Sequence, residues 1–309
     1  MNVAYLFPGQ GSQAVGMGKN LYDRSADARA LFDAADDVLG FPLSRLMFEG
    51  PEEDLRLTRN TQPALLVAST AVCRLLGRDP VVAAGHSLGE YSALVAAGCL
   101  RFEDAVLLVH KRGRYMQEAV PVGVGGMAAV LGVPGEEVER RLADVRSGTV
   151  EIANWNSDDQ IVISGEKAAV DEALAAIKAP RSVMLPVSAP FHSRLMKPAE
   201  ERLAADLDAI AFAEPRFPII TNVDARLIRS GAEARDALKR QVSRSVLWTR
   251  SMAVMRELGI EACVECGPGK VLAGLVKRIA RGWPQAPALY SVENWEGAEK
   301  ARAALFGLL

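Results

Sequence analysis

The sequence has little histidine, little cysteine and no excess of charge of either sign. Only three histidines occur among 309 residues, which argues against a zinc site built on several imidazoles. Lys and Arg total 36 against 38 for Asp and Glu, a net charge of −2, so the composition favours neither nucleic acid nor an anionic membrane as partner. No apolar run reaches the roughly 20 residues that a membrane-spanning helix needs. Half of the residues are apolar, which predicts a globular chain with a sizeable core.

The amino terminus and the cysteines predict a cytoplasmic protein. Met1 to Pro8 has no positively charged segment ahead of an apolar one, so it does not resemble a signal peptide. Two of the four cysteines, Cys263 and Cys266, form a C-x-x-C pair that a redox or zinc site could use. That pair lies in a strand-like apolar run without a second pair or a histidine nearby, and we interpret it as part of the core.

The stretch from Val81 to Gly98 predicts a nucleophile elbow. A short apolar run leads into Gly85-His86-Ser87-Leu88-Gly89, and apolar residues at helical spacing follow. In a Gly-x-Ser-x-Gly pattern between a strand and a helix, the glycines accommodate a strained turn that lifts the serine hydroxyl out of the sheet. The backbone N–H of Leu88 could then face an oxyanion. The alternative is a plain strand-to-helix turn, because glycine and serine are common residues.

Three further features could belong to the same site. The glycine-rich loop from Pro8 to Gln13 follows the first strand, at the sheet edge where α/β proteins bind ligands. Arg112 falls on the inward face of a predicted helix, and the residues alone favour its reaching solvent or pairing with an acid such as Glu118. His192 is the best candidate for the base that a serine nucleophile needs. The alternative is a loop histidine without a catalytic role.

The pattern of predicted elements describes an α/β fold with an inserted small domain. Residues 1–124 and 190–309 are predicted to form the catalytic domain, an α/β-hydrolase-like core with a parallel sheet. Residues 125–189 follow the order β-α-β-β-α-β, which is the ferredoxin-like arrangement. Asn156 to Asp159 is predicted to be the hairpin turn in its middle. In the catalytic domain, apolar spacing predicts a helix over residues 62–76 and a strand over 217–223.

Four motifs stand in a fixed order along the chain. They are F-P-G-Q-G-S-Q at Phe7 to Gln13, G-H-S-L-G-E at Gly85 to Glu90, R-G-R-Y-M-Q-E-A at Arg112 to Ala119, and S-A-P-F-H-S at Ser188 to Ser193. Together they closely resemble the malonyl-CoA:acyl carrier protein transacylases, in the acyltransferase family of fatty acid and polyketide synthesis. The resemblance extends from Phe7 to about Ile279.

The resemblance implies the roles of five catalytic residues. By it, Ser87 is the nucleophile and His192 is the base and later the acid. The backbone carbonyl of Gln241 orients the imidazole in place of a carboxylate. The backbone N–H groups of Gln10 and Leu88 match the oxyanion hole of the family.

The resemblance also implies which residues bind the substrate. Arg112 matches the arginine that holds the free carboxylate of malonyl, which a planar guanidinium can bind with two hydrogen bonds. That contact would select malonyl over acetyl. Phe191 resembles the malonyl-selective members and is expected to fill the space that a methyl branch needs. Gln62, Met116 and Asn156 match positions that line the pocket.

The implied reaction is a two-step acyl transfer. Malonyl-CoA acylates Ser87, coenzyme A leaves, and the phosphopantetheine thiol of holo acyl carrier protein takes the malonyl group. No metal or bound cofactor is implied, and the chain is expected to be a monomer in the cytoplasm. Three alternatives stay open: a serine thioesterase or other hydrolase, a non-catalytic carrier-binding subunit, and the same chemistry on a polyketide or malonate-decarboxylase carrier.

Overall fold

The computed structural model of this chain describes residues 1–187 and 189–307. The strands are β1 Val3–Phe7, β2 Val82–Gly85, β3 Gly125–Leu131, β4 Val150–Ser157, β5 Gln160–Glu166, β6 Arg181–Met184, β7 Ile219–Ile220, β8 Leu227–Ile228, β9 Ala262–Cys266 and β10 Ala288–Val292. The helices are α1 Lys19–Arg24, α2 Ala26–Leu39, α3 Leu43–Glu49, α4 Glu52–Leu55, α5 Thr58–Leu76, α6 Gly89–Ala96, α7 Phe102–Glu118, α8 Gly135–Leu142, α9 Lys167–Ile177, α10 Lys197–Asp208, α11 Gly231–Gln241, α12 Trp248–Glu257, α13 Val271–Ile279 and α14 Trp295–Phe306.

Six strands form the large sheet in the order β10-β9-β1-β2-β7-β8. The first five are parallel, and β8 runs antiparallel to β7 at the edge. Every residue of β1 is buried, and its side chains alternate between two cores: Tyr5 and Phe7 pack on one face, Ala4 and Leu6 on the other. Helices therefore cover both faces, as a buried parallel sheet requires. The predicted α/β fold is confirmed, with β8 as an addition.

Four strands form a separate antiparallel sheet in the order β4-β5-β3-β6. With α8 and α9 this is the predicted ferredoxin-like arrangement, and it has its own core, including Val130, Ile163 and Val170. Asn156 belongs to β4 rather than to the hairpin turn, which is Asp158-Asp159. The predicted domain boundaries at 124/125 and 189/190 stay predictions. Ser188, the first residue of the S-A-P-F-H-S motif, and residues 308–309 lie outside the described residues.

Two element boundaries differ from the predictions for local reasons. Helix α5 begins four residues earlier than expected, with Pro63 inside it. Pro63 has no N–H to donate to the carbonyl of Arg59, four residues earlier in the helix. That carbonyl oxygen instead lies 2.9 Å from His110 Nδ1. The strand expected over residues 217–223 is only Ile219–Ile220, because the chain turns at Thr221, whose carbonyl accepts from the Ala225 N–H at 3.1 Å. That turn places Asn222 beside the elbow.

The small sheet is joined to the large domain through β4. Trp155 N–H donates to the Val246 carbonyl at 2.9 Å, and Val246 N–H donates to the Ala153 carbonyl at 2.8 Å. These bonds form a parallel bridge between Asn154 and Val246. The edge strand of the insert is thus hydrogen-bonded to the segment that precedes α12.

The four cysteines are free thiols. Cys263 and Cys266 are buried in β9, where burial raises the pKa of the Cys263 thiol to about 12. Among the described residues no group of three or more His, Cys, Asp or Glu side chains could hold a metal ion. None of the described helices combines the length and the apolar character needed to cross a membrane.

Candidate active site

The serine of the predicted elbow stands on a strained turn between β2 and α6. Ser87 has a φ of 52°, the left-handed conformation that residues other than glycine rarely adopt and that clusters at functional sites. A Cβ on Gly85 would lie 1.8 Å from the backbone carbon of Gly89, and one on Gly89 would lie 1.9 Å from the Phe7 carbonyl oxygen. Both positions therefore require glycine, because the helix start packs directly against β1 and β2.

The side chain of Asn222 is hydrogen-bonded to the backbone of the elbow on both sides of His86. Its Oδ1 accepts from the Ser87 N–H at 2.7 Å, and its Nδ2 donates to the Gly85 carbonyl at 2.7 Å. Asn222 is fully buried, so these bonds are shielded from water and worth more than exposed ones. Asn222 has no predicted role, and its signal in the sequence is the segment Thr221-Asn222-Val223-Asp224, with three polar residues after a strand.

His192 lies within hydrogen-bond distance of Ser87. Its Nε2 is 2.7 Å from Ser87 Oγ, and its Nδ1 is 2.9 Å from the Gln241 carbonyl oxygen and 3.2 Å from that of Arg244. Carbonyl oxygens only accept, so Nδ1 carries the proton and Nε2 is free to accept the serine proton. Burial, followed by the nearby Arg112 charge, lowers the His192 pKa to about 3. The imidazole is therefore a neutral base at neutral pH.

Arg112 reaches the same serine from α7. It is 1% exposed; its Nη1 donates to Gln62 Oε1 at 2.7 Å, and its Nη2 donates to Gln241 Oε1 at 2.8 Å and to Ser87 Oγ at 3.1 Å. Its Nε has no hydrogen-bond partner among the described residues. The expectation that Arg112 pairs with Glu118 is wrong, since Glu118 is half-exposed and pairs with other arginines. The site thus contains a buried cation whose direct partners are neutral.

A buried carboxylate lies one layer behind this arginine. Glu90 Oε2 accepts from Gln241 Nε2 at 2.8 Å and from the Asn222 N–H at 2.9 Å. Gln241 Nε2 also donates to the Ser87 carbonyl at 3.0 Å. Burial raises the Glu90 pKa to about 7, against the opposing effects of its two hydrogen bonds and of Arg112. Glu90 is the last residue of the G-H-S-L-G-E motif and has no predicted role.

A cavity of about 120 Å³ brings most of the predicted residues together. It is lined by Gln10, Gln62, His86, Ser87, Leu88, Arg112, Met116, Met127, Asn154, Leu185, Val187, Phe191 and His192. Eight of the ten residues that the sequence assigned to the site are among them. The insert contributes part of this wall, through Met127 and Asn154.

The two remaining predicted residues lie behind the cavity wall. Gln241 touches the site through Arg112 and His192, as described above. Asn156 does not line the cavity: its Oδ1 lies 2.8 Å from His86 Nε2, whereas Asn154, two residues earlier on β4, does line it. The resemblance to the family, and none of the four motifs, assigns Asn156 to the pocket; in the structure Asn154 on the same strand lines the cavity instead.

A larger groove of about 790 Å³ adjoins His192 on the outer side. Its walls come from the insert, including Ile152 and Trp155, and from the large domain, including Arg194 and Arg244. Arg194 already pairs with Glu151 at 2.6 Å. The groove is therefore an extended surface of mixed charge that leads to His192. It lies next to the small cavity that contains Ser87 and Arg112.

The sequence and the fold of this chain are similar to those of known acyl transferases. The acyl transferase domain family matches residues 4–297. The malonyl CoA-acyl carrier protein transacylase of Bacillus subtilis is 47% identical over 287 residues, 90% of this chain and 90% of that protein. An acyl carrier protein S-malonyltransferase structure from Vibrio cholerae has a TM-score of 0.94 at 43% identity, covering 97% of this chain and 100% of its own. A malonyl-transacylase in complex with a type II PKS acyl-carrier protein has a TM-score of 0.95 at 42% identity, covering 98% and 100%.

Proposed function

This chain belongs to the acyl transferase family, and we propose that it transfers the malonyl group of malonyl-CoA to the thiol of an acyl carrier protein through an ester on Ser87. The observation that carries the proposal is the buried Arg112 guanidinium 3.1 Å from the serine oxygen. Hydrolysis of an ester does not in general require a cation at that position. A guanidinium there can pair with an acyl group that ends in a carboxylate.

In the first step Ser87 Oγ attacks the thioester carbon of malonyl-CoA while His192 Nε2 takes the hydroxyl proton. The short Ser87–His192 contact of 2.7 Å and the neutral imidazole support this role. The carbonyl oxygen becomes an oxyanion, which we assign to the backbone N–H groups of Gln10 and Leu88 in the cavity wall. The intermediate then collapses, the C–S bond breaks, and the His192 proton passes to the departing coenzyme A thiolate.

The second step repeats the first with a different thiol. The phosphopantetheine thiol of the holo carrier protein gives its proton to His192, its sulfur attacks the ester carbon, and the C–O bond to Ser87 breaks. The imidazolium returns its proton to the serine. These steps need no metal or redox group, because proton transfer and oxyanion binding are all supplied by the chain.

Selection of the acyl group is assigned to the cavity. Malonyl pairs its carboxylate with Arg112, whose unpartnered Nε is a buried donor that such a ligand can satisfy. An acetyl group has no carboxylate to make these hydrogen bonds, so it is bound less favourably than malonyl. Phe191, 7% exposed in the wall, fills the space that a methyl branch would need, while Gln62 and Met116 complete the pocket around the arginine.

The proposed acceptor is an acyl carrier protein, without a choice of the individual protein. The related complex with a type II PKS carrier favours a polyketide carrier as a second candidate beside a fatty acid carrier. Coenzyme A and the phosphopantetheine arm share the groove beside His192. The monomeric state and the cytoplasmic location stay predictions.

The test is the mass of the intact protein after mixing with malonyl-CoA. We expect one malonyl adduct that is absent in Ser87→Ala and that a holo carrier protein discharges. An adduct that persists in Ser87→Ala rules out the assigned nucleophile. Steady release of free malonate without a carrier would identify a hydrolase, and no adduct in the folded wild-type chain would identify a non-catalytic carrier-binding subunit.

A further inference from the structure

Glu90 is a buried carboxylate that none of the proposed steps uses. It lies in the first turn of α6, 1% exposed. One oxygen, Oε2, accepts the two hydrogen bonds from Gln241 and Asn222, while Oε1 has no partner among the described residues. A buried carboxylate with an unsatisfied oxygen is costly to keep charged. Glu90 therefore needs a nearby positive charge to remain ionised.

A single amide connects this carboxylate to the arginine of the site. Gln241 directs its Nε2 to Glu90 at 2.8 Å and its Oε1 to Arg112 at 2.8 Å. The amide cannot be reversed without placing its NH2 group against the guanidinium and its oxygen against the carboxylate. Glu90 and Arg112 are therefore held as opposite charges on the two sides of one side chain. Above pH 7, where Glu90 is charged, the buried pair is neutral overall when no substrate is bound.

Malonyl binding changes this balance of charge. On the proposed function, the substrate brings a second carboxylate to Arg112, so one buried cation would face two buried anions. An excess buried charge is strongly unfavourable, and the usual response of a buried group is to neutralise by binding or losing a proton. Of the two carboxylates, the substrate's contacts the guanidinium directly, while Glu90 contacts it only through the amide.

We propose that Glu90 is the resident counter-ion of Arg112 and takes up one proton from solvent when the malonyl carboxylate binds the arginine. The inference rests on the proposed function, since it requires a substrate with a free carboxylate. The only bond that forms at Glu90 is the O–H bond to the solvent proton, and no other group changes its oxidation or covalent state. Glu90 is thus a positioning residue, since it acts on the substrate through Gln241 and Arg112.

The charged and titratable groups around Glu90 allow this exchange. Arg112 faces it from α7, Tyr91 is next to it on α6, and Asp224 lies on the turn after β7. Burial raises the Tyr91 pKa to about 12, so that phenol stays neutral. Hydrogen bonding to Arg240 lowers the Asp224 pKa, so that carboxylate stays charged throughout. Glu90 is the member of this group that can titrate near neutral pH.

Calorimetry measures the proton directly. Ser87→Ala, which cannot be acylated, is titrated with malonyl-CoA and with acetyl-CoA in two buffers of different ionisation heat. Protons bound by the shared coenzyme A part cancel in the difference between the two ligands. With a Glu90 pKa of about 7 in the empty protein, the malonyl excess should be about 0.9 proton at pH 8 and about 0.1 at pH 6. No excess at pH 8 overturns the proposal.

The substitution Glu90→Gln separates Glu90 from other proton acceptors. The amide oxygen can still accept from Asn222 and Gln241, so the change removes mainly the charge. In the double variant with Ser87→Ala, the malonyl excess should vanish at both pH values. An excess that persists places the proton elsewhere, with His192 as the first candidate, and overturns the assignment to Glu90.

A kinetic measurement on the wild-type chain needs no substitution. Above pH 7, each bound malonyl must carry a proton with it, so kcat/KM for malonyl acylation should fall about tenfold per pH unit relative to that for acetyl. His192 serves both substrates and cancels in the ratio. A ratio that is flat from pH 6 to 9 contradicts the proposal. If wild type forms no malonyl adduct, the proposed function fails and this inference with it, whereas an adduct with a flat ratio refutes the inference alone.

Discussion

Replacing Arg112 by alanine is predicted to abolish the preference for malonyl. The guanidinium can give the malonyl carboxylate two charge-assisted hydrogen bonds, each worth about 1.5–3 kcal/mol. Their loss amounts to about 3–6 kcal/mol, or roughly 10²–10⁴-fold in kcat/KM for malonyl-CoA. Acetyl-CoA loses only the effect of the 3.1 Å contact between Arg112 Nη2 and Ser87 Oγ, about tenfold for one hydrogen bond.

The assay is the rate of Ser87 acylation, followed by rapid quenching and intact-protein mass measurement with each thioester. Arg114→Ala is the matched control, since Arg114 lies exposed on the same helix, with a 3.9 Å ion pair to Glu118 and its guanidinium over the Tyr115 ring; both rates should stay unchanged. Arg112→Lys, which keeps the charge but loses the planar fork, should fall between wild type and Arg112→Ala. Equal losses for malonyl and acetyl would show that Arg112 is a structural residue and would refute the reasoning.

Two further predictions concern the base and the elbow. Because burial and Arg112 lower the His192 pKa to about 3, His192 stays neutral in weak acid, and acetylation of Ser87 should change by less than about twofold from pH 8 to pH 5. A rate that falls with a midpoint near 6.5, the ordinary histidine value, contradicts this. Gly85→Ala, whose Cβ would lie 1.8 Å from Gly89, should destabilise the chain by about 3 kcal/mol or more. Gly274→Ala, in α13 with open space around it, should stabilise it by about 0.5–1 kcal/mol, so thermal melting points that shift in the same direction would refute the steric argument.

The elbow and the fold class could be predicted because their signals are local. A strand, two glycines around a serine and a helix lie within the 18 positions from Val81 to Gly98, and the strain that needs glycine acts between immediate neighbours. The insert was predictable for the same reason, since alternating and helical apolar patterns follow one another along residues 125–184. The placement of Ser87, His192 and Arg112 around one cavity, in contrast, came from resemblance to a family, not from the pattern.

The residues that support the site could not be found from local pattern. Asn222 and Glu90 are hydrogen-bonded across 132 positions, and Gln241 and Glu90 across 151. Each is a polar residue in a stretch where polar residues are ordinary, and its burial depends on how distant helices pack. Asn156 shows the same limit at short range: the resemblance indicated β4, but the pairing of β4 with β5 is irregular between Ile152 and Asn154 and between Trp155 and Ser157, so the sequence does not reveal which of its residues lines the cavity.

The bridge between β4 and Val246 bears on how this protein can be modified by recombination. The insert has a core of its own, yet the backbone of its edge strand is hydrogen-bonded to the backbone of Val246 in the large domain. The neighbouring carbonyl of Arg244 contacts His192, so the seam between the two units runs next to the catalytic base. In a chimera that exchanges only residues 125–184, the two sides of this bridge come from different proteins, whereas one that carries residues 241–249 along moves the insert together with the carbonyl oxygens that orient the imidazole.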